Sequence, residues 1–338
     1  MIVSTEEFNH IISMYGIKSK IIKFEELQNC SYDICNMRLI YLLYTNDKKK
    51  FVCKMTNESN YPAWLIEKQS QFAMFLYKNG ISTAIKLNSN GKYCVQWIKN
   101  KLIFCITLET YAGEDLKKIN SNTFKELGKL LGRIHAISQA HNYRIGFSMT
   151  MDAIRKGRAR YKNILVHAKH NIICRSEIRK IAHLHDSLVH IVYGILPHLP
   201  QGGVHADIGI FNNILVYNDT LTVIDFNLSC DEAYLIDLAA SFYSSFYKFC
   251  INMNFKHTNI FPLLYTFLDG YTDYRKLTKI EEENFEIISS LMNGIFYTKY
   301  IITQYNNNFQ CNYLKYFNEI ADIFSSGITL YTTYRKKD

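Results

Sequence analysis

Apolar residues near the start of the chain recur at helical spacing. Phe8, Ile11, Ile12 and Tyr15 fall at i, i+3, i+4 and i+7, which predicts a short helix over residues 5–15. The period then shortens. Residues 38–44 form an apolar run rich in Leu, Ile and Tyr, and residues 50–55 alternate, with Phe51, Cys53 and Met55 on one face and Val52 and Lys54 on the other. Asn46-Asp47 supplies a turn between these two strands. Residues 62–79 return to a helical pattern on Leu65, Phe72, Phe75 and Leu76, with Pro62 in the first turn and Asn79-Gly80 as a left-handed stop. Strands follow at 93–98 and 102–108. The first hundred residues therefore predict a small, mostly antiparallel sheet with one packed helix.

Beyond residue 110 the pattern is mainly helical. Residues 123–136 carry an apolar stripe on Phe124, Leu127, Leu131 and Ile134, and Thr123 with Glu126 fits a capping box. Residues 175–196 predict another helix. A short β-rich module at 203–226 follows the Pro200-Gln201-Gly202-Gly203 break, and helices run from there on. The expected fold class is α+β in two lobes, 1–110 and 111–338, with no internal repeat or low-complexity linker.

Composition narrows this picture modestly. The 338 residues are 48% hydrophobic, enough for a sizeable core. A formal charge of +9 is spread along the chain; it suits anionic ligands such as nucleotides, and no nucleic-acid-binding signature accompanies it. The nine cysteines include no CxxC, and several sit in apolar runs, which predicts buried thiols in a reducing compartment and argues against zinc. The N-terminus does not resemble a signal peptide, and no apolar run is long enough to span a membrane, so a cytoplasmic location is expected.

The chemistry concentrates in Val204-His205-Ala206-Asp207-Ile208-Gly209-Ile210-Phe211-Asn212-Asn213-Ile214-Leu215-Val216, followed by Asp225 in Val223-Ile224-Asp225-Phe226. Phosphoryl transfer asks a protein to orient a hydroxyl, accept its proton and hold Mg²⁺ through oxygen ligands. An Asp followed five residues later by an Asn supplies a base and one ligand, and an Asp after the next strand supplies a second. Because Asn212 and Asn213 are adjacent, either could be the amide ligand. A lone Asp is usually a cap or turn residue; the spaced partners set Asp207 apart. His205 reads as a loop-fixing residue and His135 as core-lining. Arg155, Arg158 and Arg160 read as a solvated helix face.

These motifs resemble the aminoglycoside phosphotransferase and choline kinase superfamily, which has the protein-kinase-like fold. Leu199-Pro200-Gln201-Gly202-Gly203-Val204-His205-Ala206-Asp207 and Ile224-Asp225-Phe226 are similar to homoserine kinases of that fold, as is Ala233-Tyr234-Leu235-Ile236-Asp237-Leu238-Ala239. Phe51-Val52-Cys53-Lys54-Met55 and the helix carrying Glu67 look like hydroxylysine kinases of the same superfamily. Thr110-Tyr111-Ala112-Gly113 and Leu127-Gly128-Lys129-Leu130-Leu131-Gly132-Arg133-Ile134-His135 match motifs common across it.

The resemblance implies an ATP-dependent, Mg²⁺-dependent kinase of a small-molecule hydroxyl acceptor, with ATP between the lobes. It implies Asp207 as base, Asn212 and Asp225 as metal ligands, and Lys54 on the α/β-phosphates. Glu67 is the implied partner of Lys54, Glu109 and Tyr111 lie where adenine meets the connector, and Asp237 is a buried support for the catalytic loop. Homoserine ranks first as acceptor, hydroxylysine next, and choline, ethanolamine or an aminoglycoside after them. One departure stands out: residues 28–36, where a glycine-rich phosphate loop is expected, contain no glycine. Asn29 and Ser31 side chains are the substitutes that stretch offers. The same feature is the best support for the competing class, a kinase-fold binding protein without catalysis.

Overall fold

The computed structural model describes residues 3–33, 36–58, 61–116, 118–148, 172–211, 213–217, 220–253, 255–256, 260–305 and 313–334. The chain divides into two compact units, Met1–Asp115 with Ile214–Ser229, and Leu116–Asn213 with Cys230–Asp338. The segment 214–229, grouped with the second lobe from sequence, thus clusters with the first unit.

In the first unit, helix α1 (Thr5–Met14) starts at a capping box in which the Ser4 hydroxyl accepts from the Glu7 N–H and Glu7 accepts from the Ser4 N–H. Its Phe8, Ile11 and Ile12 are fully buried. They cover one face of an antiparallel sheet of order β1-β2-β3-β5-β4, formed by β1 (Ile21–Asp33), β2 (Asn36–Thr45), β3 (Lys50–Thr56), β4 (Cys94–Lys99) and β5 (Leu102–Thr110). Leu39, Tyr41, Leu43, Cys53, Met55, Ile106 and Leu108 fill that face, so the period-2 pattern sends Arg38, Ile40, Lys54 and Glu109 to the other. Helix α2 (Ala63–Lys78) follows its N-cap Pro62 and stops before Gly80, whose φ is +86°. A further sheet joins β6 (Glu114–Asp115), β8 (Ile214–Tyr217) and β9 (Thr220–Val223).

The second unit is mainly helical. Helix α3 (Ser121–Ala140) is capped by Asn120, not by the expected Thr123: the Asn120 Oδ1 accepts from the Thr123 N–H at 3.2 Å, and Thr123 accepts from the Asn120 N–H at 3.1 Å. Asn is among the strongest caps, and here it directly precedes the helix's first residue, Ser121. Helices α4 (Ile172–Ile195), α5 (Tyr234–Met253), α6 (Ile260–Thr272), α7 (Lys279–Tyr305) and α8 (Tyr313–Tyr334) complete it, with the short pair β7 (Gln201–Val204) and β10 (Cys230–Ala233).

The glycines of α3 have a packing reason. A Cβ at Gly128 would lie 2.0 Å from the Phe267 carbonyl oxygen and one at Gly132 2.5 Å from that of Tyr271, so α3 and α6 touch backbone to backbone. His135 is fully buried, within 2.9 Å of both the Tyr271 hydroxyl and Asp237 Oδ2. No described helix is long and apolar enough to cross a membrane. Arg155, Arg158 and Arg160 lie outside the described residues.

Candidate active site

The first unit carries a buried cluster of opposite charges. Lys54 stands in mid-β3 between Ile40 of β2 and Thr107 of β5, with its side chain on the face opposite the core. Glu109, two residues from Thr107, shares that face and is 2% exposed. Lys54 Nζ lies 3.0 Å from Glu109 Oε1 and 3.3 Å from Asp225 Oδ1, while Lys86 Nζ binds the other oxygen of Glu109. Burial works against the Lys54 ammonium, but Asp225 and Glu109 outweigh it and raise its pKa. Burial likewise opposes the Glu109 and Asp225 carboxylates, and the lysines overcome it and hold both pKa values below the ordinary range.

This corrects the expectation for Glu67. Its carboxylate accepts from the N–H groups of Tyr93 and Cys94, at 2.8 and 2.9 Å, and so anchors the start of β4. Lys54 is paired across the sheet instead, because Glu109 lies on the neighbouring strand in the same alternation. Glu109, expected as a connector residue near adenine, is therefore the buried counter-ion of two lysines.

Glu109→Gln should leave two buried ammonium groups short of one charge and cost about 3–5 kcal/mol, the usual penalty for breaking a buried pair. Thermal unfolding should show this as a lowered midpoint, and Glu67→Gln should leave Lys54 paired. Because the folded pKa values of Glu109 and Asp225 are depressed, the stability they contribute is present above the ordinary carboxylate range, about pH 4, and is lost as pH falls through the folded values. The Glu109→Gln variant should lose part of that acid dependence.

Asp225 follows β9 in a left-handed conformation, φ 58° and ψ 65°, at the entry to a short 3-10 turn, Phe226–Leu228. A non-glycine residue held there is strained, and the surroundings fix it. Phe226 is buried edge-on to Phe72 of α2 at 6.1 Å, and Gln69 Nε2 donates to the carbonyls of Asn227 and Ser229 at 2.6 and 3.2 Å. Gln69 carries no charge, so no charge pattern in the sequence marks it. Its work is to hold the turn behind Asp225.

In the second unit the chain leaves β7 through the buried His205 and turns at Ala206, φ 66°. Ile208 and Ile210 anchor the loop in the core, and the Ile210 N–H donates to Ser245 Oγ of α5 at 2.9 Å. Asp207 is half-buried. Asn213, itself at φ 63°, donates from Nδ2 to the Asp207 carbonyl and to Asp207 Oδ2, both at 2.9 Å. Asn212 lies outside the described residues. One turn beyond Ser245, Lys248 feels the charge of Asp207; burial lowers its pKa, Asp207 works against that lowering, and Lys299 of α7 adds to it.

The other expected residues are placed as follows. Ser31 belongs to β1 and pairs with Met37, and its side chain lies outside the described residues. Tyr111 follows β5; its N–H donates to the Lys50 carbonyl at 3.2 Å and Lys50 Nζ lies 5.1 Å from its ring. Asp237 is buried against His135.

Asp225 fits a hard cation: an oxygen donor, kept ionised by neighbouring positive charge and still partly exposed. Among the described residues no cluster of three His, Cys, Asp or Glu side chains forms a protein-only metal site. That is compatible with magnesium, which takes one or two protein ligands and completes its shell with phosphates and water.

A sheet unit with a buried strand lysine, an aspartate turn and a helical unit with an Asp-Asn loop define a kinase-like phosphotransferase fold. Residues 38–276 match the phosphotransferase enzyme family APH, and the chain belongs to it. It is an enzyme that transfers a phosphoryl group to an alcohol. No curated protein matches the chain. Among solved structures it is similar to the amicoumacin kinase hAmiN in complex with AMP-PNP, Ca²⁺ and Ami, at 15% identity, 93% of each chain and a TM-score of 0.60. It is also similar to a microcompartment-associated aminopropanol kinase, at 14% identity over 99% of this chain and 98% of that one, TM-score 0.60. A spectinomycin phosphotransferase in complex with ADP and spectinomycin is 16% identical over 97% and 99%, with a TM-score of 0.58. These likenesses bear out the α+β kinase-like fold.

Proposed function

We propose that this enzyme moves the γ-phosphate of ATP to the hydroxyl of an amino acid or amino alcohol, with homoserine-like acceptors first. The family supports phosphotransfer, and the residues supply its parts. Lys54, fixed by Glu109, offers an ammonium to the nucleotide phosphates. Asp225 and an asparagine of the catalytic loop, Asn212 by its spacing from Asp207 or the adjacent Asn213, would hold Mg²⁺. The metal, when bound, would neutralise charge developing on the phosphates.

Asp207 accepts a hydrogen bond from the acceptor hydroxyl and orients its oxygen toward the γ-phosphorus. The new O–P bond forms as the bond to the ADP oxygen breaks, and the hydroxyl proton passes to the Asp207 carboxylate. Asn213 fixes the rotamer of that carboxylate. Cys30, Cys53, Cys94, Cys105, Cys230 and Cys250 are free thiols.

Lys248 supports this choice of acceptor. A positive charge that acts on Asp207, with that of Lys299 beside it electrostatically, suits an acceptor that brings a carboxylate beside its hydroxyl and opposes one that brings several ammonium groups. A coupled ADP-release screen over homoserine, hydroxylysine, choline, ethanolamine and an aminoglycoside tests this. The amino acids should turn over best. Turnover confined to the aminoglycoside would overturn the acceptor assignment.

A further inference from the structure

The stretch where a glycine-rich phosphate loop is expected, residues 28–36, has no glycine, and its described backbone is largely paired into the sheet. Strand β1 runs extended to Asp33 and pairs with β2 through Cys30↔Arg38, Ser31↔Met37 and Asp33↔Asn36. Glycine-rich loops bind phosphate through closely approaching backbone N–H groups. A hairpin built this way leaves that task to side chains.

Arg38 is placed for it. It lies near the start of β2, opposite Cys30 of β1 and Thr56 of β3. Strand alternation sets it on the face that carries Lys54, since Ile40 is the partner of Lys54 and Leu39 faces the core. A hollow on that face is lined by Arg38, Lys54, Thr56, Tyr61, Thr107 and Asn227, among others.

The guanidinium is oriented but not saturated. Its Nη2 donates to Glu58 Oε2 at 3.1 Å, and its carbon sits 4.6 Å from the centre of the Tyr61 ring. Its Nε is buried with no hydrogen-bond partner. A buried N–H without an acceptor is uncommon in folded proteins and points to a ligand or water that supplies one. The charge of Asp225 also reaches Arg38, which places it in the same electrostatic cluster as the aspartate proposed for the metal.

We propose that Arg38 is a phosphate ligand that replaces the glycine-rich loop, its guanidinium donating to the terminal phosphates of the nucleotide beside Lys54. The inference rests on the reading of ATP as phosphoryl donor. Arginine is suited to the role because its planar fork binds phosphate oxygens in pairs, whereas lysine offers a point charge.

The test is calorimetric binding of Mg-ATP and of adenosine to the full chain and to Arg38→Ala, Arg38→Lys and Glu58→Gln. Arg38→Ala should weaken ATP binding about 10- to 100-fold, the size of one or two charge-assisted hydrogen bonds, and leave adenosine unchanged. Arg38→Lys should recover part of the loss. Glu58→Gln, which keeps the arginine, should retain the wild-type preference for ATP over adenosine. If Arg38→Ala lowers ATP and adenosine binding equally, or changes neither, Arg38 only braces the loop that follows β3 and the proposal is wrong. Should Arg38→Ala fail to fold, an unchanged ATP-to-adenosine ratio in Arg38→Lys would overturn it instead. A wild-type chain that binds neither ligand would remove the donor assignment itself, an outcome distinct from a failure of Arg38 alone.

Discussion

Asp207→Asn lowers turnover roughly 100- to 10,000-fold, the usual worth of a positioned general base, and leaves nucleotide affinity near the wild-type value. The split follows from where the residue sits. Asp207 belongs to the helical unit, and its carboxylate is held by Asn213 rather than by the Lys54 cluster. An amide of the same shape keeps the loop intact but cannot take the hydroxyl proton. The loop itself is independently secured by the buried Ile208 and Ile210 and by the bond from the Ile210 N–H to Ser245. Single-turnover kinetics should therefore show a slowed phosphoryl-transfer step after normal ATP binding. Equal losses in turnover and in ATP affinity would mean that Asp207 serves the nucleotide.

Asp225→Ala removes both activity and the dependence of ATP binding on magnesium. Here the effects combine, because Asp225 is a counter-ion of Lys54 as well as the proposed metal ligand. Turnover should fall at least as far as for Asp207→Asn. ATP stabilisation in a thermal-shift assay should become insensitive to Mg²⁺. The unliganded chain should also melt differently, since Lys54 then depends on Glu109 alone. Of Asn212→Ala and Asn213→Ala, the variant that reproduces the loss of magnesium dependence identifies the amide ligand; Asn213→Ala also removes the described bonds to Asp207.

Local patterns reported local structure well. The Phe8, Ile11, Ile12 stripe gave α1, the alternation at Phe51, Cys53 and Met55 gave β3, and Gly80 marked the end of α2. The Asp207 and Asp225 motifs stood out in sequence because each places an aspartate just after a short strand, β7 and β9. What escaped was set by partners distant in sequence. β1 was hidden because Glu25, Glu26, Gln28 and Asn29 blur its alternation, and its extension to Asp33 is fixed by pairing with β2.

The partner of Lys54 was sought on the following helix and is on β5 instead. The signal was present: Glu109 is a carboxylate in an apolar strand, in phase with the face that carries Lys54. Gln69 had no such signal, because it acts on backbone carbonyls of Asn227 and Ser229, and no side-chain pattern announces that contact. The cap of α3 moved from Thr123 to Asn120 for a similar reason, since both segments satisfy the cap pattern and only the folded backbone chooses between them.

The most direct measurement is acceptor-dependent release of ADP from Mg-ATP, followed in parallel for the wild type and Asp207→Asn, with homoserine as the first acceptor and hydroxylysine as the second. The wild type should release ADP in step with phosphorylation of the acceptor hydroxyl, and Asp207→Asn should release it only at the rate seen without acceptor. Acceptor phosphorylation at wild-type rates by Asp207→Asn would contradict the account.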